Sequence, residues 1–200
     1  MNDRSPEYIR PLLVRIDRLM AERERVLVAI DGGSASGKTT LGALLQSIYG
    51  CPVFHMDDFF LRPEQRTPER FSEPGGNVDR ERFLSEVLLP LREGKTVDYR
   101  RFDCKTFTIA SPRRIEPGRL NIIEGAYAMH PDLAPYYDLT VFLAVSAEKQ
   151  RERILKRNAP AQAELFFDRW IPFEQRYFAA LNVPERCDLT IFLDDQTSVP

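Results

Sequence analysis

Gly32, Gly33, Ser34, Ala35, Ser36, Gly37, Lys38, Thr39 and Thr40 follow one another without interruption. They fit the pattern G-x-x-x-x-G-K-[ST] at every fixed position. The chemistry of such a stretch is phosphate binding. Glycines let the backbone curl until several N–H groups point at one anion. Lys38 offers a compact ammonium to the outer phosphates of a nucleotide, and Thr39 offers a hydroxyl to Mg²⁺. Three further groups could act on a phosphoryl held there. Asp57 and Asp58 follow an apolar run, and Glu124 ends another. Arg153 and Arg157 are four apart, so they share one face if their segment is helical.

These residues need strands and helices to place them. Val26-Leu27-Val28-Ala29-Ile30 reads as a buried strand leading into the loop, and Leu41, Leu44, Leu45 and Ile48 recur at helical spacing after it. The helix start adds its positive dipole end to the phosphate site. Pro52–Met56, Leu120–Gly125, Leu139–Val145 and Leu189–Leu193 read as four more buried strands, and the chain from Asp194 onward as a loose tail. In an open α/β sheet, carboxylates just past strand ends point into the ligand crevice. That places Asp57, Asp58 and Glu124. Glu124 could hold Mg²⁺ through water or orient a nucleophile. His55 falls inside its strand and reads as structural.

Between these strands lie less regular segments. Ser5-Pro6-Glu7 reads as a helix start for residues 1–24, with Pro11 as a kink. Residues 61–78 form a long polar loop of functional or mobile type. Asp79 caps a helix that Gly94 ends; a plain cap and a substrate contact are both open to it. Residues 96–115 read as a basic hairpin beside the main sheet, with strands at Thr96–Tyr99 and Thr106–Ile109. Ala147–Asn158 reads as a basic helix broken by Pro160. Its arginines either face a transferred phosphoryl group or form a solvated face. The aromatics of residues 162–181 read as core, interrupted at Pro172.

Composition narrows the function classes. A net charge of −2 gives no global pull toward nucleic acid or anionic membrane, so any positive field is local to a cleft. Apolar runs fall short of a membrane span, and the N-terminus is polar rather than leader-like. Cys51, Cys104 and Cys187 form neither a metal pattern nor a disulfide framework, in keeping with a reducing cytoplasm. No guanine-reading N-K-x-D motif is present, which argues against a GTPase switch. Two hundred residues suit a single domain, 1–200.

Taken in order, the loop 32–40, Met56-Asp57-Asp58-Phe59-Phe60, Asn77-Val78-Asp79, the hairpin opening at Tyr99, Ile123-Glu124-Gly125 and the arginine-rich helix resemble the uridine kinase-like P-loop kinases. That group is similar to phosphoribulokinase and bacterial pantothenate kinase. The resemblance covers residues 25–193. It implies a three-layer P-loop NTPase fold with a five-stranded parallel sheet, residues 26–31 central, and a small hairpin appendage. It implies ATP and Mg²⁺, with Asp57 as the base that takes the proton from a sugar hydroxyl. Lys38 and the loop would hold the phosphates, and Thr39 and Glu124 would sit near the metal. Asp79 and Tyr99 would meet the acceptor, and Arg153 and Arg157, on a lid-like helix within 147–160, would meet phosphates. The implied acceptor is a small molecule, uridine or cytidine first, with pantothenate or a sugar phosphate as alternatives and a non-catalytic nucleotide binder as a more distant one. A homo-oligomer is left open. Two departures stand out: Asp58 replaces a small residue, and Phe102-Asp103-Cys104 replaces the segment carrying a base-reading His.

Overall fold

The computed structural model describes residues 6–193. Its strands, in chain order, are β1 (Val26–Gly32), β2 (Val53–His55), β3 (Val97–Tyr99), β4 (Phe102–Asp103), β5 (Thr108–Ile109), β6 (Arg113–Ile115), β7 (Leu120–Glu124), β8 (Leu139–Ala144) and β9 (Leu189–Phe192). Five of them build one parallel sheet in the order β2-β7-β1-β8-β9, with β1 central. The expected α/β architecture is what forms. The helices are α1 (Arg10–Glu22), α2 (Lys38–Tyr49), α3 (Pro68–Ser72), α4 (Arg80–Phe83), α5 (Leu89–Glu93), α6 (Ala147–Arg157), α7 (Pro160–Leu165), α8 (Ile171–Leu181) and α9 (Val183–Arg186).

The alternation of side chains along β1 divides the core into two layers. Val26, Val28 and Ile30 pack with Ile9, Leu12 and Ile16 of the N-terminal segment and with Leu41 and Leu45 of α2. Leu27 and Ala29 pack with Phe54, Phe83, Leu88 and Tyr177 on the opposite face. Both faces are covered, so the strand reads as an unbroken apolar run. Each large apolar side chain fully buried in this way contributes about 1.5–3 kcal/mol.

Several local expectations change. Pro11 does not kink α1. It stands in the first turn, where a missing N–H costs nothing, after a 3₁₀ turn at Glu7–Ile9. The proposed Ser5 cap and the tail from Asp194 lie outside the described residues. The appendage is two nested antiparallel ladders, β3 with β6 and β4 with β5. Phe107 takes a left-handed φ of 56°, so the inner strand starts only at Thr108. Asp79 does cap its helix, accepting the Arg82 N–H at 3.2 Å, and Gly94 ends it at φ 71°. A π-helical turn, Leu84–Leu88, joins α4 to α5 just ahead of Pro90, which has no N–H to continue the regular ladder. A second π turn, Phe166–Trp170, joins α7 to α8 ahead of Pro172. In the long polar loop, Arg70 donates to Gly76 O and Val78 O and pairs with Glu81, which ties the loop to α4.

Candidate active site

The carboxyl ends of β1, β2 and β7 meet at one edge of the sheet, and the sequence puts its reactive groups there. Between β1 and α2 the phosphate loop turns through Ala35 at φ 58° and Gly37 at φ 104°. Gly37 is the N-cap of α2, so the first N–H groups of that helix have no partner within it and face the loop. Lys38 Nζ donates to Gly32 O at 2.8 Å and Gly33 O at 2.9 Å. A cleft of about 660 Å³ opens over the loop, a size that suits a small ligand. Lys38, Lys149, Arg153, Lys156 and Arg157 line it, and so do Asp57, Glu124, Glu152 and Glu174. Cations therefore gather at the loop with nearly as many carboxylates beside them, on a chain that carries net negative charge.

Glu124 and His55 are register partners on adjacent parallel strands. His55 Nδ1 lies 2.5 Å from Glu124 Oε1, and the Thr39 hydroxyl donates to the same oxygen at 3.2 Å. The bond to Glu124, outweighing the opposing effect of burial, raises the His55 pKa. Thr39 and Glu124 thus stand together at the mouth of the phosphate loop. An alcohol and one carboxylate suit Mg²⁺, which keeps several waters and takes phosphate oxygens for its other positions.

The two aspartates after β2 differ in surroundings. Asp58 is buried, and both its oxygens are occupied: Tyr99 Oη donates at 2.7 Å and Arg101 Nε at 2.7 Å. Asp57 lines the cleft with its surface open to solvent, at the base of a recess crowded by protein atoms. That crowding raises its pKa, Lys38 pulls it down, and Glu124 and Asp58 push it up again. Solvent screening in the open cleft moderates all three effects.

The remaining expected residues divide. Arg153 and Arg157 both reach the cleft. Arg153 donates to Ala35 O at 3.2 Å and Leu193 O at 3.0 Å, so α6 is clamped onto the loop. Arg157 lies over the Phe166 ring at 5.6 Å. Asp79 is buried, bonded to its own helix and to Arg62 Nε at 3.2 Å. Tyr99 is buried in an aromatic cluster with Phe54 and Phe59, its hydroxyl on Asp58. Both acceptor-side residues therefore sit one layer behind the open surface of the cleft.

Three groups at the loop escape sequence reasoning. Gln150 Nε2 donates to Ser34 O at 2.8 Å. Glu174 accepts from Ser34 N at 2.9 Å and from Ser34 Oγ at 2.5 Å. A Cβ on Gly33 would lie 2.8 Å from Gln150 Nε2 and 3.5 Å from Glu174 Oε2, so a larger residue there would push the Gln150 amide aside. Asp31, fully buried ahead of the loop, accepts from Gly32 N at 2.7 Å, Met129 N at 2.9 Å and Tyr177 Oη at 2.8 Å. Gln150 and Glu174 read in sequence as polar positions on helices, and Asp31 as the end of an apolar strand. Only the packing of α6 and α8 brings them to the loop.

The family model described as phosphoribulokinase / uridine kinase matches residues 27–161. The chain belongs to this family. Uridine kinase-like protein 4 of Arabidopsis thaliana is 28% identical over 146 residues, 68% of this chain and 31% of that protein. The chain thus spans about a third of that relative's length. A uridine kinase of Ligilactobacillus salivarius is 26% identical over 151 residues, 70% of each chain. Among solved structures, a protein from Silicibacter sp. TM1040 named provisionally as a fructose transport system kinase superposes with a TM-score of 0.70 at 23% identity, covering 93% of this chain and 99% of that one. Membership of the family supports ATP-dependent kinase activity on a small molecule. No helix among the described residues is long and apolar enough to cross a membrane.

Proposed function

We propose that this protein transfers the γ-phosphoryl group of ATP to a hydroxyl of a small metabolite, with the 5′-hydroxyl of uridine or cytidine first among acceptors. The observation that carries the reading is the contrast between Asp57 and Asp58. One carboxylate is open to the cleft beside Lys38; its neighbour has both oxygens engaged. Asp57 accepts the proton of the attacking hydroxyl. Lys38, the loop amides and the start of α2 hold the phosphates. Arg157 and Arg153 bring positive charge from α6. Thr39 and Glu124 would hold Mg²⁺, which would supply neutralisation of phosphate charge. Catalysis of this type is mainly positioning and charge stabilisation. We place the enzyme in the cytoplasm and leave a homo-oligomer open.

A second reading, transfer to pantothenate or a sugar phosphate, draws on the hairpin tip. Where uridine kinases have the base-reading His, this chain has Phe102 and Phe107 with the Arg66 guanidinium 5.6 Å and 4.9 Å from their ring centroids. Such a surface suits an acidic group. It also lacks the polar edge that gives strong base discrimination, since apolar contacts separate ligands by only about 1–3 kcal/mol per small group. Acceptor-dependent ADP release decides between the readings. Uridine and cytidine should turn over with a preference over purine nucleosides well below about 10⁴, the scale of hydrogen-bonded readout. Turnover of pantothenate or a sugar phosphate alone would favour the second reading. Saturable ATP binding with no acceptor-dependent release would leave a non-catalytic binder.

A further inference from the structure

The phosphate loop already holds an anion of the protein's own. Ser34 lies at a variable position of the loop, and its N–H and hydroxyl both point to the Glu174 carboxylate, at 2.9 Å and 2.5 Å. Glu174 is 5% exposed and comes from α8. It is not a surface residue that drifts onto the loop. Gly33 lies beside it and Gln150, and one turn further along α8 Tyr177 is bonded to Asp31, which precedes the loop. Helix α8 therefore grips the loop at two points, one before the first glycine and one after the second.

The loop's donors are those that motif chemistry gives to a nucleotide phosphate. A carboxylate and a phosphate cannot share the same donors, and two anions in one nest repel. We infer that Glu174 is a resident competitor for the phosphate loop: nucleotide binding requires its carboxylate to leave Ser34, and its charge sets how tightly the phosphates are held. Tyr177 and Asp31 keep α8 attached while the Glu174 contact exchanges. This rests on the reading of the loop as the nucleotide site.

The test uses calorimetric titration of the full chain with tripolyphosphate and with ATP, and with adenosine as a ligand lacking phosphate. Glu174→Gln keeps the shape and removes the charge. Glu174→Asp keeps the charge and shortens its reach, and it decides the matter should the Gln variant fail to fold. Glu174→Gln should bind tripolyphosphate and ATP at least about tenfold more tightly than the wild type, the scale of a charge-assisted hydrogen bond that no longer has to be broken, and Glu174→Asp, which gives up the contact but keeps the charge, should gain by a smaller factor. Adenosine affinity should not change. Equal or weaker phosphate binding in a folded variant overturns the inference, because a carboxylate that merely shapes the loop would help binding. If the wild type binds neither ATP nor tripolyphosphate, the nucleotide reading itself fails and the inference falls with it.

Discussion

Tyr177 Oη donates to Asp31 Oδ2 at 2.8 Å, across 146 residues of chain. The bond joins α8 to the residue that precedes the phosphate loop. Burial raises the Asp31 pKa, and the Met129 amide, Tyr177 and the Gly32 amide act against that. Tyr177→Phe leaves the carboxylate with its two backbone donors and creates no cavity. Loss of a hydrogen bond to a charged group should cost about 1.5–3 kcal/mol. Urea unfolding should show a lower midpoint at constant slope. An unchanged midpoint would mean that the hydroxyl contributes nothing to holding the buried acid.

Asp57→Asn and Asp58→Asn should fail in different ways. Loss of a positioned general base costs about 10²–10⁴-fold in rate. Asp57→Asn should show that loss in kcat with little change in ATP affinity or melting temperature. Asp58→Asn should chiefly lower the melting temperature, since it loosens the hairpin held through Tyr99 and Arg101. A larger kcat loss in the Asp58 variant would exchange the two roles.

Arg153 and Arg157 are expected from sequence to act together, but their contacts differ. Arg153 holds loop carbonyls, so Arg153→Ala should weaken ATP binding and lower kcat. Arg157 lies over the Phe166 ring and holds no loop carbonyl among the described residues, so its replacement should lower kcat more than it raises KM for ATP. Steady-state kinetics with varied ATP separates the two. An Arg157 effect confined to KM would assign it to ground-state binding.

His130 supplies a pH signature of stability. Burial and the nearby Arg80 charge push its pKa down to about 4, against the favourable charge of Asp132. Its folded value is lower than its unfolded value of about 6.5, so the unfolded chain binds more protons between the two. Stability from this group is therefore complete above about pH 6.5 and falls as the pH drops toward 4, by roughly 3 kcal/mol in all. Asp31 and Glu174 have raised values and act with the opposite sign, so the wild type must be compared with His130→Gln. The difference between their urea midpoints should shrink steadily over that window. A difference independent of pH would show that His130 titrates normally.

The parts of the site that lie on one strand, loop or helix start were legible in sequence. The apolar run 26–30, the loop 32–40 and the strand-end acids Asp57 and Glu124 each announce themselves locally, and most of the loop and both acids line the cleft. What arrives from elsewhere was not. Glu174 and Gln150 look like ordinary helical polar residues until α8 and α6 pack against the loop. His55 reads as structural, but a strand pattern does not say which neighbour shares its register; its partner is Glu124. Phe166 looked like core and lines the cleft instead. The inner hairpin strand was overextended because propensity does not report the left-handed turn at Phe107.

The π turn at Phe166–Trp170 has a consequence for insertions and deletions. A regular helix advances about 100° per residue. A π turn carries one residue more than the regular repeat needs, so it resets the rotational phase of everything after it. The phase of α8 decides that Glu174 and Tyr177, three residues apart, both face the loop and the strand before it. Removing a single residue from Phe166–Trp170 would let the helix run straight from α7 into α8. Because that residue is the extra one the π turn accommodates, the face of α8 that carries Glu174 and Tyr177 would keep nearly the same direction. The π turn is therefore the place where this helix pair can lose one residue while both contacts to the loop are kept.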